Sequence, residues 1–202
     1  MPHVVLLGDS IFDNGAYTNG GPDVVTQLRR LLPAGWSASL VAVDGHVTGD
    51  IARQLTRLPA GATHLALSVG GNDALSCLPV LDAPTADVRQ GIATIAAVTT
   101  QFEIQYEAAV DACLRKGLPL VICTIYNGCF ADVAFQRIAT TIVALFDDAI
   151  LRTAAARGLP AVDLRAVCSE RADYANPIEP SSAGGEKIAR ALATLVTGLT
   201  LA

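Results

Sequence analysis

Ser10 is the first residue of the chain whose position suggests covalent chemistry. It follows the apolar run Val4 to Leu7 and the turn Gly8-Asp9, so it stands where a buried strand ends and a helix can begin. A hydroxyl at such a turn can attack a carbonyl carbon if a neighbouring group takes its proton. Histidine does this most often. The histidines of the chain are His3, His46 and His64.

Two further groups of polar residues also follow apolar runs. Residues 44–50 come after the apolar run at 38–43, and Asn72-Asp73 come after the apolar run at 63–70. Ligands bind at the carboxyl ends of parallel strands, so we expect both groups to converge with Ser10 on one crevice. A side-chain amide and backbone N–H groups placed there would stabilise the alkoxide that forms when a hydroxyl attacks an ester.

The acidic residues near these strand ends permit a second interpretation, because Mg²⁺ prefers oxygen ligands and assists phosphoryl transfer. The sequence contains no glycine-rich loop ending in Lys-Ser or Lys-Thr, which would hold a phosphate. We therefore predict no metal site and no cofactor, and keep a metal-dependent phosphoesterase as a third alternative. The residues concerned are Asp9, Asp13, Asp44 and Asp73.

Short apolar runs alternate along the chain with segments whose apolar residues recur every three or four positions. This alternation predicts an α/β protein with a five-stranded parallel sheet between layers of helices. No linker or repeat interrupts it, so we predict one domain over residues 1–202. The predicted strands are 3–8, 38–43, 63–70, 118–126 and 159–164. The predicted helices are 23–32, 50–58, 87–116, 134–157 and 182–199, with loops at 13–22 and 70–85.

Composition narrows the choice of partners. Fourteen basic and 19 acidic residues give a net charge of -5, and no basic cluster is longer than Arg29-Arg30, so neither nucleic acid nor an anionic membrane is an expected partner. Apolar stretches are too short to span a bilayer.

The five cysteines show no C-x-x-C spacing, which favours reduced thiols. Residues 1–7 show no leader pattern, and we expect a cytoplasmic protein.

Three motifs together resemble those of the GDSL, or SGNH, hydrolases. GDSIFDNG at 8–15 is similar to the family's first block, DGHVTGD at 44–50 to its second and GGND at 70–73 to its third. The closing segment PSSAGGEKIA at 180–189 extends the resemblance over nearly the whole chain. It implies an esterase or lipase-like enzyme with the three-layer, flavodoxin-like fold of the SGNH hydrolases. It also implies that Ser10 is the nucleophile and that Ser10, Gly49 and Asn72 supply the oxyanion hole.

The last block departs from the family pattern. The family has an aspartate and, three residues later, a histidine that precedes a proline, whereas this chain has Asn176 and Glu179 at those positions. The usual base and its orienting carboxylate are both missing. An aspartate that orients an imidazole has no task once the imidazole is gone, so the two replacements are consistent with each other.

Two residues remain candidates for the base that takes the proton of Ser10. The first is Glu179, whose apolar and stiff surroundings, Pro177, Ile178 and Pro180, would raise its pKa. The second is His46, three residues before Gly49.

We expect the substrate to be a small-molecule carboxylic ester, with a small acyl group because no amphipathic lid separates the motifs. The alternative from another class is a ligand-binding pseudoenzyme of the same fold.

Overall fold

The computed structural model describes residues 1–198, which contain one five-stranded sheet. All neighbouring strands are parallel, and their order is β2-β1-β3-β4-β5, the flavodoxin-like order. The chain reverses its direction of travel across the sheet between β1 and β3, which is where such folds bind ligands. The predicted five-stranded parallel sheet is confirmed. The strands are β1 (His3–Gly8), β2 (Ser37–Leu40), β3 (His64–Ser68), β4 (Leu120–Cys123) and β5 (Ala161–Val162).

Helices cover both faces of the sheet. Each of the four long helices begins at an aspartate or serine whose side chain accepts a backbone N–H of the first turn. The fifth helix ends at Arg157 and is capped by Gly158, which has φ 63° as a left-handed cap requires. The helices are α1 (Val24–Leu31), α2 (Ile51–Gln54), α3 (Gly71–Ser76), α4 (Val88–Leu114), α5 (Val133–Arg157), α6 (Leu164–Val167) and α7 (Ser182–Thr197).

Alternate side chains of β1 enter two separate cores. Val4 and Leu6 pack with α1 and α7, whereas Val5 and Leu7 pack with α4 and α5. All four side chains are fully buried, which explains why this strand is a continuous apolar run. Because β1 lies between β2 and β3, its carboxyl end is flanked by a neighbouring strand on each side.

Several predicted boundaries differ from the observed ones. The strand predicted at 118–126 covers only Leu120–Cys123 in the structure. The strand predicted at 159–164 is also shorter, because α6 starts at Leu164, where this strand was expected to end. The predicted loop 70–85 contains α3 and a 3₁₀ helix, Leu78–Asp82. The helix predicted over 50–58 is α2 followed by a 3₁₀ turn, Leu55–Arg57. The last helix ends at Thr197, and the predicted end at Leu199 lies outside the described residues.

The cysteines are free thiols in the structure, as the spacing predicts. Cys113, Cys123 and Cys168 are buried, and burial raises the pKa of Cys113 to about 12. Within residues 1–198, no helix combines the length and apolar character needed to cross a membrane.

Candidate active site

A cavity of about 90 Å³ opens at the carboxyl edge of the sheet, beside β1, β3 and β4. Residues that follow these strands line it, together with the loop that precedes α7. Of the predicted site residues, the structure brings Ser10, Asn72 and Glu179 into its lining. Gly49 is not among the lining residues and lies on an exposed turn.

The turn that carries Ser10 is fixed by contacts on both sides. Gly8 has φ 132°, and a Cβ atom there would lie 1.7 Å from the backbone oxygen of Ser68, so only glycine fits. Asp9 Oδ1 accepts the N–H of Ile11 at 3.1 Å. Ser10 is only 6% exposed, and its side chain faces the cavity from this rigid turn.

Glu179 approaches Ser10 from the opposite end of the chain. Its side chain is 7% exposed, and burial raises its pKa from 4.5 to about 7, although interaction with the Ser10 hydroxyl lowers it. The charge of Asp44 adds a smaller rise. The Oε2 atom of Glu179 is buried and has no hydrogen bond of good geometry within residues 1–198. Glu179 therefore presents a buried carboxyl oxygen that is free to accept a proton.

Asn176 fixes the backbone that carries Glu179. Its Oδ1 atom accepts the N–H of Ile178 at 2.9 Å and the N–H of Glu179 at 3.0 Å. The Tyr126 hydroxyl donates to the carbonyl of Ile178 at 2.6 Å from the end of β4. The sequence analysis assigned no such role to Asn176. The residue type could have indicated this role, because asparagine side chains commonly accept hydrogen bonds from backbone N–H groups two or three residues later in the chain.

Asn14 connects the first and last motifs. This side chain is fully buried. Its Oδ1 accepts the N–H of Val24 at the start of α1, at 2.9 Å, and its Nδ2 donates to the carbonyl of Pro180 at 3.3 Å. The loop after Ser10 and the loop around Glu179 are thus tied together directly. Asn14 was not among the predicted site residues.

The third motif holds the second in place. Asn72 donates one amide N–H to the carbonyl of His46 at 3.0 Å, which leaves its second N–H for a ligand. The Asp73 carboxylate accepts the N–H of Thr48 at 3.1 Å and its hydroxyl at 2.7 Å. Burial raises the pKa of Asp73. Because Thr48 precedes Gly49, these bonds also fix the Gly49 N–H group.

Gly49 itself lies in open space. A Cβ atom at this position would have no other atom within 4 Å, so no packing within the protein demands glycine here. The missing side chain leaves room for a bound molecule next to the backbone.

The His46 side chain is held by other residues and is not part of the cavity lining. Its Nδ1 accepts from Gln54 Nε2 at 2.7 Å, and Arg53 lies 3.2 Å from its Nε2. Gln54 also pairs with both backbone groups of Gly8, at 2.8 and 2.7 Å. His46 is therefore tied into the support of the Ser10 turn.

The other two histidines belong to the opposite edge of the sheet. His3 begins β1 and contacts Ser39, and His64 begins β3 and contacts Thr63. Both stand at the amino ends of their strands, whereas Ser10 follows a carboxyl end.

The acidic residues considered as metal ligands all contact protein groups. Asp13 accepts the N–H of Asp44 at 3.0 Å, and Asp44 accepts the Tyr17 hydroxyl at 2.6 Å. Burial raises the pKa of Asp9 to about 8, with smaller contributions from the charges of Glu179 and Asp73. Within residues 1–198, no group of three or more His, Cys, Asp or Glu side chains is arranged to hold a metal ion.

The sequence matches the GDSL-like lipase/acylhydrolase family over residues 6–187. The chain belongs to this family. Membership makes this GDSL-like hydrolase an enzyme that cleaves ester bonds, as the resemblance of the three motifs implies. No curated protein sequence matches the hydrolase.

Solved structures share the fold at low sequence identity. The extracellular lipase of Streptomyces rimosus is similar with a TM-score of 0.69 and 17% identity over 98% of the hydrolase and 99% of the lipase. A G-D-S-L family protein of Veillonella parvula gives a TM-score of 0.72 and 15% identity over 98% and 100% of the two chains. The acetyl xylan esterase AlAXEase gives 0.73 and 15%, over 96% and 99%. These similarities extend over the whole fold.

Proposed function

We propose that this hydrolase cleaves carboxylic esters with Ser10 as the nucleophile and Glu179 as the general base. The observation that carries the proposal is the meeting of the two side chains in one buried cavity. A general base must lie within reach of the proton that it takes, and hydrogen bonds in an empty site are often longer than in the substrate complex. The interaction of the Ser10 hydroxyl with the Glu179 side chain, which lowers the pKa of Glu179, supports this requirement.

Acylation begins when the Glu179 carboxylate takes the proton of Ser10. The Ser10 oxygen forms a bond to the ester carbonyl carbon, whose oxygen becomes an alkoxide. The alkoxide then re-forms the carbonyl, and the bond to the alcohol oxygen breaks. The protonated Glu179 gives its proton to the departing alcohol, which leaves an acyl group on Ser10.

Deacylation repeats these steps with water. Glu179 takes a proton from the water molecule, whose oxygen attacks the acyl carbon. Collapse of the second tetrahedral intermediate breaks the bond to Ser10 and releases the carboxylic acid, and Glu179 returns the proton to the Ser10 oxygen. Ester and water are thereby converted to acid and alcohol, and the enzyme is regenerated.

The alkoxide formed in each half-reaction needs hydrogen-bond donors that are already in place. We propose the backbone N–H groups of Ser10 and Gly49 and the free amide N–H of Asn72. Their supports favour this role, because Asp73 holds Thr48 while Asn72 binds the His46 carbonyl. Donors fixed by such bonds need no reorganisation during the reaction.

The raised pKa of Glu179 explains how a carboxylate can replace an imidazole. An ordinary glutamate is about two units less basic than histidine, a deficit of roughly 3 kcal/mol in proton affinity. Burial raises the pKa of Glu179 to about 7, within the range of histidine. A base is most effective when its pKa lies near the working pH.

Labelling with a fluorophosphonate tests this proposal against a pseudoenzyme and a metal-dependent phosphoesterase. We expect the wild-type protein to be labelled and the Ser10→Ala variant to be neither labelled nor active on p-nitrophenyl acetate. The Ser10→Ala variant should keep its circular dichroism spectrum, because Ser10 lies on a polar turn. Equal turnover by the two proteins would reject Ser10 as the nucleophile, and binding of esters without labelling would favour the pseudoenzyme.

A further inference from the structure

Away from Ser10, the cavity becomes apolar. The polar lining residues come from the strand ends, the first turn of α3 and the Glu179 loop, whereas the rest of α3, the Leu78–Asp82 helix and α5 contribute apolar side chains. The acidic lining residues, Asp9 and Glu179, lie at the end of the cavity near Ser10. The apolar wall includes Leu75, Leu78, Leu81, Ala139, Ile142 and Val143.

A second, smaller cavity lies behind this wall. It has a volume of about 20 Å³ and shares Ala74, Leu78, Leu81 and Ile142 with the first cavity. Its remaining lining consists of apolar residues and Cys77, with no charged group. The remaining residues are Cys77, Val80, Ile95, Val98 and Phe146. A small set of side chains thus separates two apolar spaces, the first of which leads to Ser10.

We propose that the acyl group of the substrate is an aliphatic chain of about six to eight carbons. The chain lies along the apolar wall with its carbonyl carbon at Ser10, and Leu78 and Ile142 limit its length. An aliphatic chain offers no hydrogen bonds and requires none, which matches a wall without polar groups. A short acetyl group would leave most of this wall uncovered. The proposal rests on the function proposed above and names its substrate class.

The volumes set the expected chain length. One water-sized group, such as a methylene, takes roughly 10–15 Å³ of such volume, so the first cavity holds about six to nine groups. The carbonyl carbon occupies one of these places. The second cavity adds room for one or two more. We thus propose a chain of medium length, where the sequence led us to expect a small acyl group.

The test measures kcat/KM for p-nitrophenyl esters from acetate to dodecanoate, each below its aggregation concentration. We expect the wild-type optimum at hexanoate or octanoate, at least tenfold above acetate, because each buried methylene contributes up to about fourfold. Shortening Ile142 to alanine should join the two cavities and move the optimum about two carbons longer. The Leu78→Ala variant should do the same and provides a second test if Ile142→Ala folds poorly.

The Ile95→Ala variant is the matched control. Ile95 lines only the second cavity, so this substitution enlarges that space without opening the wall, and the chain-length profile should not change. An optimum at acetate in the wild type would overturn the proposal. Equal profile changes in the Ile95 and Ile142 variants would also overturn it, because the shared wall would then have no special role.

A binding measurement separates this proposal from the catalytic one. Titration of the Ser10→Ala variant with octanoate by calorimetry should detect binding that the acetate control lacks. If wild-type protein is neither labelled nor active but octanoate binds, the proposed catalysis fails and the acyl site stands. If esters are hydrolysed through Ser10 and neither chain length nor octanoate matters, only the acyl site fails.

Discussion

Replacing Glu179 by glutamine removes the proposed proton acceptor and keeps nearly the same side-chain shape. The pKa of Glu179 is raised from 4.5 to about 7, which corresponds to about 3 kcal/mol of additional proton affinity. Glutamine keeps the volume but cannot take the proton of Ser10. Because a positioned base contributes typically about 10²–10⁴-fold, we expect kcat at pH 8 to fall by a factor in this range.

The wild-type pH profile should carry the signature of the same group. The ionised carboxylate is the active form, so kcat/KM should rise with pH through a single step with its midpoint at about 7. Activity should fall about tenfold per unit below the midpoint, to roughly one hundredth at pH 5. Stopped-flow or steady-state hydrolysis of p-nitrophenyl hexanoate between pH 5 and 9 measures both effects.

The His46→Ala variant provides the comparison for this experiment. His46 is bound by Gln54 and is not part of the cavity lining, so this variant should keep the wild-type midpoint and most of its rate. Full activity in Glu179→Gln would refute the carboxylate base. Loss of the pH step in His46→Ala, with Glu179→Gln unaffected, would identify His46 as the acceptor.

Two further predictions concern Asn72 and Asp9. Asn72→Ala should lower kcat by about 10²–10³ with little change in KM, since an oxyanion donor acts mainly in the transition state; an increase in KM alone would assign Asn72 to substrate binding. Burial raises the pKa of Asp9 from 3.8 to about 8, so between these pH values the folded protein holds a proton that unfolding releases. The free energy of unfolding therefore falls as the pH rises through this range, by up to about 1.4 kcal/mol per pH unit from this group. Asp9→Asn should reduce that fall when urea unfolding is measured at pH 5 and pH 8, and an unchanged difference would contradict the assignment.

The order and number of strands were predictable because apolar runs and helical periods alternate. β1 was predicted at its observed limits, His3–Gly8, since it is buried on both faces and ends at a glycine. β5 was predicted too long, because Asp163 caps α6 and ends the extended backbone. α3 was missed because a six-residue helix that begins at the second of two glycines shows no helical period.

The motifs predicted which residues would lie near the cavity for three of the four candidates, all but Gly49, but they did not predict the contacts of these residues. Ser10, Asn72 and Glu179 were selected by residue type and order, and the cavity brings them together. The hydrogen bonds of Asn176 and the attachment of His46 to Gln54 depend on which side chains meet across the fold. Spacing along one sequence carries little information about such long-range contacts.

The bond between Asn14 and Pro180 has a consequence for the order of events during synthesis. These residues are 166 positions apart, yet this bond and the packing of α1 against α7 bring the Ser10 loop and the Glu179 loop together. Nearly the whole described part of the chain must therefore be synthesised before the Glu179 side chain can contact Ser10. The nascent chain therefore carries Ser10 without the neighbouring carboxyl group until Glu179 has been synthesised.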